Sequence, residues 1–428
     1  MIYTQNLHGL SIDTIGENGF KPTQIDLHRQ KFLNAQEKFN QIFDEGSLPL
    51  FKQPYLRKDL LELAPHIERF QDDFSDVVII GTGGSSLGGQ TLSVLAENKG
   101  PKLHFMDNVD PATFTELFKT IDPNHTGFVV ISKSGGTVET LAAFLHCLKF
   151  WRQSEHDNAI SDHFLIVTEP KESSLMKLAT QWQIPVIDHD PGLGGRFSVL
   201  SVVGMIPAML VGIDPLAIRK GAQDVLEHTL KEKVLEKNQP GMGAVTAVAL
   251  SRRYPNAVLM PYVDQLRYFS RWYRQLWAES LGKGGKGTTP IDALGTVDQH
   301  SQLQLYLDGP LDKVITLIGA EKEHGSEALN MQGLPEDGLI DLLNQTSMAD
   351  LLNAEFEATR DTLIQNNKPV RVLTYEKLTA ETMGALLMHF MLETMYAAEL
   401  LGVDPFDQPA VEQGKILAKQ YLSDSIQQ

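Results

Sequence analysis

The chain has 428 residues, 42% hydrophobic and 21% charged, a globular composition with length enough for two or three domains. A formal net charge of −17 argues against the basic face that nucleic-acid binding needs, so no nucleic-acid partner is expected. The single cysteine, Cys147, excludes an internal disulfide and a cysteine-based zinc site, and its apolar surroundings make it a core thiol.

The opening MIYTQNLHGLSID has no basic start followed by an apolar run, so we expect no signal peptide and a cytoplasmic location. Residues 1–70 read as a polar helical segment with Phe32, Phe39 and Phe43 on one face. A buried strand over 76–80 ends in Gly81-Thr82-Gly83-Gly84-Ser85-Ser86, and a helix follows through Leu92, Leu95 and Ala96. A strand over 103–106 ends at Asp107. Strand, glycine-x-glycine, helix and a later acid approximate a dinucleotide fingerprint, although Ser86 replaces the third glycine and Asp107 lies farther on than usual. The alternative is a sugar-binding loop rich in hydroxyls.

The same vocabulary returns in GFVVISKSGGTVETLAAFLHCLKFW, residues 127–151. An apolar run over 128–131 reads as a strand, and Val138, Leu141, Phe144, Leu145 and Leu148 recur at helical spacing. The first N–H groups of a helix lack partners within it, and its dipole favours negative charge. With Ser132, Ser134, Thr137 and Thr140 as hydroxyl donors and Lys133 as a cation, the loop reads as a phosphate cradle; the competing reading is an ordinary glycine-rich turn with a threonine cap. A further strand over 164–167 continues an alternation that predicts a parallel sheet with helices on both faces.

Glycines before Arg196 permit close approach of a ligand whose developing negative charge the arginine can stabilise; otherwise Arg196 is a surface ion-pairing residue. The apolar segment 197–213 is interrupted by Ser198, Ser201, Gly204, Pro207 and Gly212 and is short for a span of ~20 residues, so it predicts a buried helix and no membrane partner. Residues 226–240 read as a connection. A second sheet is predicted from strands over 257–260, 314–318 and 370–374. Between the first two, a helix over 265–282 puts Gln275 and Glu279 on one face. Glu279, followed by the glycine–lysine loop 282–289, reads as a general base beside a mobile anion-binding loop, against the alternative of a solvated glutamate. His300 stands alone among 13 histidines, and no His-x-x-x-His pair suggests a metal. A helix over 377–400 precedes a terminal helix whose Lys415 reads, by pattern alone, as a solvated charge on a docking arm.

The ordered series IGTGGSSLGG, SKSGGTVET, GGRFS, QLWAESLGK, DQH and FDQPAVEQGK resembles the glucose-6-phosphate isomerase (phosphoglucose isomerase) family from about Val77 to Lys415. The resemblance implies an α/β fold of two doubly wound domains of the sugar-isomerase (SIS) type with mainly parallel sheets plus a C-terminal helix. Its parts would be an N-terminal helical segment 1–70, a first domain 71–225 with the phosphate cradle, a second 240–400 with Glu279 and His300, and an arm 401–428. It implies reversible isomerisation of glucose 6-phosphate to fructose 6-phosphate, as in glycolysis and gluconeogenesis, without a cofactor. By the same resemblance Glu279 moves a proton between C1 and C2, Arg196 stabilises a cis-enediolate, and His300 and Lys415 open the sugar ring. Ser132, Lys133, Ser134 and Thr137 hold the phosphate; Ser85, Gln275 and Gln408 touch the sugar. A homodimer sharing His300 across its interface is implied too. Gly136 stands where relatives carry a hydroxyl, and Ala410 where they carry glycine. The alternatives are an isomerase that also takes mannose 6-phosphate, an NAD-dependent oxidoreductase, and a silent sugar-phosphate sensor.

Overall fold

Ten strands form two five-stranded sheets in the computed structural model, which describes residues 2–96, 99–153, 159–323 and 325–426. The first sheet comprises β2 (Asp76–Ile80), β3 (Lys102–Met106), β4 (Thr126–Ile131), β5 (Phe164–Thr168) and β6 (Val186–Asp188). It runs β3-β2-β4-β5-β6, all parallel. Strands β4 and β5 are buried along their whole length, which is why they read as unbroken apolar runs: helices cover both faces. The strand order reverses between β2 and β4. Their outgoing loops, beginning at Gly81 and Ser132, therefore open side by side on the carboxyl edge, where α/β sheets bind ligands.

The second sheet runs β1-β10-β9-β7-β8, from β1 (Tyr3–Asn6), β7 (Asn256–Pro261), β8 (Thr289–Asp292), β9 (Lys313–Ala320) and β10 (Val370–Tyr375). Its four parallel strands repeat the arrangement of the first sheet, with β7 beside the reversal. Past β7 the chain enters the helix Arg267–Leu281.

Three local expectations are corrected. The stretch 1–70 is not wholly helical: Tyr3–Asn6 forms the edge strand β1, antiparallel to β10. Four residues are too few to show an alternating pattern, and the partner lies at the other end of the chain. The edge strands β6 and β8 were likewise unpredicted. β8 contains Pro290, which the sheet edge tolerates because no ladder bond is needed on its open side. Within the expected connection, residues up to Lys231 are helical, in Pro215–Lys231.

The helix Ala380–Leu401 is apolar on every side and buried from Thr382 through Ala398, so it packs in all directions. It meets the helices Pro22–Glu45, Pro215–Lys231, Gln239–Leu250 and Arg267–Leu281. One apolar core takes in Val129 and Phe197 as well as Trp272, Leu373 and Phe390, and so joins the two sheets. Among its buried polar groups is a network around Glu393. Arg371 donates to both oxygens of Glu393 (2.7 and 2.6 Å), and His389 bridges Glu393 Oε2 (2.9 Å) and the Tyr3 hydroxyl (2.6 Å). Among the described residues no helix is long and apolar enough to cross a membrane.

Candidate active site

The loop after β2, the turn at Gly195 and the helix Arg267–Leu281 close on one another. Gly84, which opens the helix Gly84–Ser93, lies so near Gly195 that a β-carbon would collide with its carbonyl. Ser198 Oγ donates to the Gly195 carbonyl at 2.8 Å and more weakly to that of Gly84 at 3.4 Å. Gly83 lies against Gln275.

This contact brings Arg196 to Gln275 and Glu279, which are distant from it in sequence and one helical turn from each other. Glu279 Oε2 is 3.4 Å from Arg196 Nε, and Gln275 Nε2 donates to Glu279 Oε1 at 3.1 Å. The arginine side chain is 4% exposed and the glutamate 31%, so a cation fixed in the wall faces a carboxylate that an entering molecule can reach. Arg196 Nη2 donates to the carbonyls of Phe406 and Asp407, both at 3.0 Å. Arg196 Nη1 and Gln275 Oε1 are buried without a partner among the described residues, which leaves each a hydrogen bond to make with a ligand. Burial pulls the Arg196 guanidinium below its ordinary value, while Glu279, Asp407 and Asp404 oppose that shift.

The second loop leaves β4 at Ser132. Ser132 Oγ donates to Thr137 Oγ1 at 3.3 Å, the Ser134 and Thr137 hydroxyls are 3.4 Å apart, and the Gly136 N–H reaches Ser134 Oγ at 3.3 Å. These bonds are long, so the hydroxyls are weakly committed to one another. Thr137 precedes the helix Val138–Trp151 without capping it through its side chain, so hydroxyl and helix N-terminus both stay available to an anion. Gly135, at φ 64°, turns the loop against Ser173, whose Oγ a β-carbon would overlap. Lys133 Nζ stands 3.7 Å from Glu169 Oε1. Ser85 is half-buried in the first turn of Gly84–Ser93, beside the first loop.

Gln408 is exposed but follows Asp407, whose carbonyl Arg196 holds, so its backbone lies beside this cluster. His300, in Val297–Ser301, is exposed. Lys415 lies in Glu412–Ile426, an exposed helix, where its Nζ pairs with Glu412 at 2.7 Å. The glycine–lysine loop is corrected from a mobile anion-binding loop to a clamp. Lys283 Nζ pairs with Asp407 at 2.7 Å and bonds the Asp404 carbonyl, Lys286 bonds the Leu401 carbonyl at 2.7 Å, and Trp277 Nε1 ties down Thr288 at 2.9 Å. In the first loop, the Gln275 side chain fills the close approach that a dinucleotide's pyrophosphate would need at Gly83, the second glycine of the fingerprint. Gln90 bridges Ser86 and Asp107 at 2.7 and 2.8 Å.

Sequence reasoning missed Glu169 and Lys171, which stand at the end of β5 beside the cradle. The signal available was an acid two residues past the predicted strand 164–167, which the fold sets beside β4. Among the described residues no group of three or more His, Cys, Asp or Glu side chains is gathered to hold a metal.

The family model for phosphoglucose isomerase matches residues 69–428. The glucose-6-phosphate isomerase of Rubrobacter xylanophilus is 37% identical over 365 residues, 83% of this chain and 84% of that protein. That of Carboxydothermus hydrogenoformans is 33% identical over 412 residues, 91% and 88% of the two. Among solved structures, a hypothetical protein of Thermus thermophilus superposes with a TM-score of 0.83 at 32% identity, covering 94% of this chain and 97% of the other. A glucose-6-phosphate isomerase of Chlamydia trachomatis gives 0.73 at 25% identity, covering 86% and 73%. With its paired carboxyl-edge loops, its Arg196–Glu279 couple and a family match over most of its length, this chain belongs to the phosphoglucose isomerase family.

Proposed function

We propose that this chain interconverts glucose 6-phosphate and fructose 6-phosphate by moving a proton between C1 and C2 through a cis-enediolate. The observation that carries the reading is Glu279, held by Gln275 and beside the buried Arg196. Aldose–ketose isomerisation is proton transfer next to a carbonyl, so it needs one base that reaches both carbons and one cation for the oxygen that becomes negative. Glu279 takes the C2 proton from the open-chain aldose and returns it to C1. Arg196 stabilises the enediolate oxygen. Ser132, Lys133, Ser134 and Thr137 hold the phosphate, whose binding energy positions the reacting end. Ser85, Gln275 and Gln408 contact the sugar.

Ring opening requires a proton on the ring oxygen and the loss of one from the C1 hydroxyl. We assign these transfers to His300 and Lys415. Both are exposed, on the helices Val297–Ser301 and Glu412–Ile426, which favours a homodimer in which a second copy completes the site. The working unit is then two SIS-type domains, 71–225 and 240–400, flanked by segments 1–70 and 401–428, acting in the cytoplasm where phosphorylated sugars are made.

The test is turnover of purified protein on fructose 6-phosphate with EDTA and without nicotinamide, with the products separated by chromatography. Glucose 6-phosphate is the expected product. A mannose 6-phosphate peak beside it widens the substrate range. Calorimetric binding without any product overturns the reading in favour of a sensor.

A further inference from the structure

The phosphate cradle is backed by a buried carboxylate, an unusual neighbour for an anion site. Glu169 follows β5 directly, and its side chain is 8% exposed. The backbone fixes it against the cradle: its N–H donates to the Lys133 carbonyl at 3.1 Å, and Thr168 Oγ1 reaches the same carbonyl at 3.4 Å. Its two oxygens face two different lysines. Oε1 is 3.7 Å from Lys133 Nζ, an ion pair too long to be a hydrogen bond. Oε2 is in close contact with Lys171 Nζ, and the Lys171 N–H donates to the Glu169 carbonyl at 2.7 Å. The Lys133 and Lys171 side chains are 33% and 55% exposed, so both are far more open to solvent than the glutamate between them.

A nearly buried carboxylate needs a cation, and removing its partner is costly. If Lys133 were the sole partner of Glu169, the two would cancel and an arriving phosphate would meet a neutral pair. Two lysines around one glutamate leave one net positive charge beside the cradle. Because the tight contact is with Lys171, the lysine free to turn is the one in the cradle.

We propose that Lys171 sets the charge of the phosphate site: it neutralises Glu169 and so releases the charge of Lys133 for the substrate's phosphate. The ligand class is a phosphate monoester. The inference rests on the assignment of Ser132–Thr137 as the phosphate site made under Proposed function.

The experiment is calorimetric titration of the full chain with glucose 6-phosphate and, as a probe without a sugar, inorganic phosphate at low ionic strength. Four variants are compared with wild type, and far-ultraviolet circular dichroism confirms that each is folded. Lys171→Met brings the local charge to zero and is expected to weaken binding of both ligands by about fivefold, the scale of a partly exposed ion pair. Glu169→Gln combined with Lys171→Met returns the charge to its original value and is expected to restore binding to within about twofold, whereas Glu169→Gln alone binds at least as tightly as wild type. The differences shrink as salt is added. In turnover assays the Lys171→Met loss falls on KM more than on kcat. Unchanged binding in Lys171→Met overturns the inference. So does a double variant as weak as Lys171→Met, because a structural role would not be rescued by removing the opposing charge. Lys133→Ala separates the two levels. If it weakens binding while Lys171→Met does not, the inference alone fails; if it leaves binding unchanged, the phosphate assignment fails and takes the inference with it.

Discussion

In the proposed mechanism Glu279 is the residue on which the chemistry turns, and the side chains around it give it one orientation. Gln275 occupies one carboxylate oxygen and Arg196 stands at the other, so a substrate carbon meets a base whose geometry is already set. Glu279→Gln keeps the size and loses the base. It is expected to lower kcat by at least about 100-fold while substrate still binds, as read by calorimetry beside turnover. The cradle offers a sharper test of geometry through two adjacent glycines. Gly135 has a positive φ and a filled β-carbon position, so Gly135→Ala is expected to displace the loop and raise KM at least about tenfold, the effect of misplacing a positioning group. At Gly136 a β-carbon meets nothing within 4 Å, so Gly136→Ser is expected to fold normally and to leave KM the same or lower. A large rise in KM for Gly136→Ser would show that the open space there is needed by the ligand.

Elements bring these residues together, and the elements differ in how far the sequence foretells them. The two carboxyl-edge loops were legible because hydroxyls and glycines concentrate where buried apolar strands stop. The helix Arg267–Leu281 was legible from its apolar stripe, and Gln275 and Glu279 from their spacing on it. The clamp of Lys283 and Lys286 on the chain at 401–407 was not. A glycine–lysine loop reads alike whether its lysines meet an anion or the carbonyls ending a distant helix, and only the fold distinguishes the two. The same holds for Glu169, which meets Lys133 because β4 and β5 are adjacent, with Lys171 two residues on completing the group. The clamp predicts a coupling at this scale. Segment 404–407 is held from one side by Arg196 and from the other by Lys283. Lys283→Ala is therefore expected to loosen it, seen as faster amide exchange at Phe406 and Asp407 with a fall in kcat. Unaltered exchange there would mean that Arg196 alone holds the segment.

At the scale of the whole molecule, one core and one buried polar network tie the ends of the chain together. Burial raises the Glu393 carboxyl, but Arg371 and His389 more than offset it and hold it at about 2, below its ordinary 4.5. Burial also pulls His389 below its ordinary 6.5, with Glu393 opposing. Both signs run the same way. As pH drops below about 6.5 the unfolded chain takes up a proton on this histidine that the folded chain resists, and below about 4.5 it takes up another on the glutamate. Thermal midpoints are thus expected to fall from pH 7 to pH 5 and again toward pH 3, and His389→Gln is expected to flatten the upper part of the decline. A wild-type midpoint constant between pH 7 and pH 5 would show that His389 is not held neutral. Glu393→Ala leaves Arg371 buried and unpaired, and is expected to cost about 3–5 kcal/mol in urea unfolding. The pairing of Tyr3–Asn6 with Val370–Tyr375 carries this linkage into biosynthesis. Strands β2 to β6 lie within one stretch of the chain and have all their partners soon after they leave the ribosome. The second sheet has no such order: its first-made strand must wait for its last, roughly 20–70 s at typical translation speeds. Until then its sheet partner does not exist, and Tyr3 has no histidine to bond. The half of the protein that carries Glu279 is therefore completed only late in synthesis, and a nascent chain arrested before residue 370 holds the first sheet without a completed partner sheet.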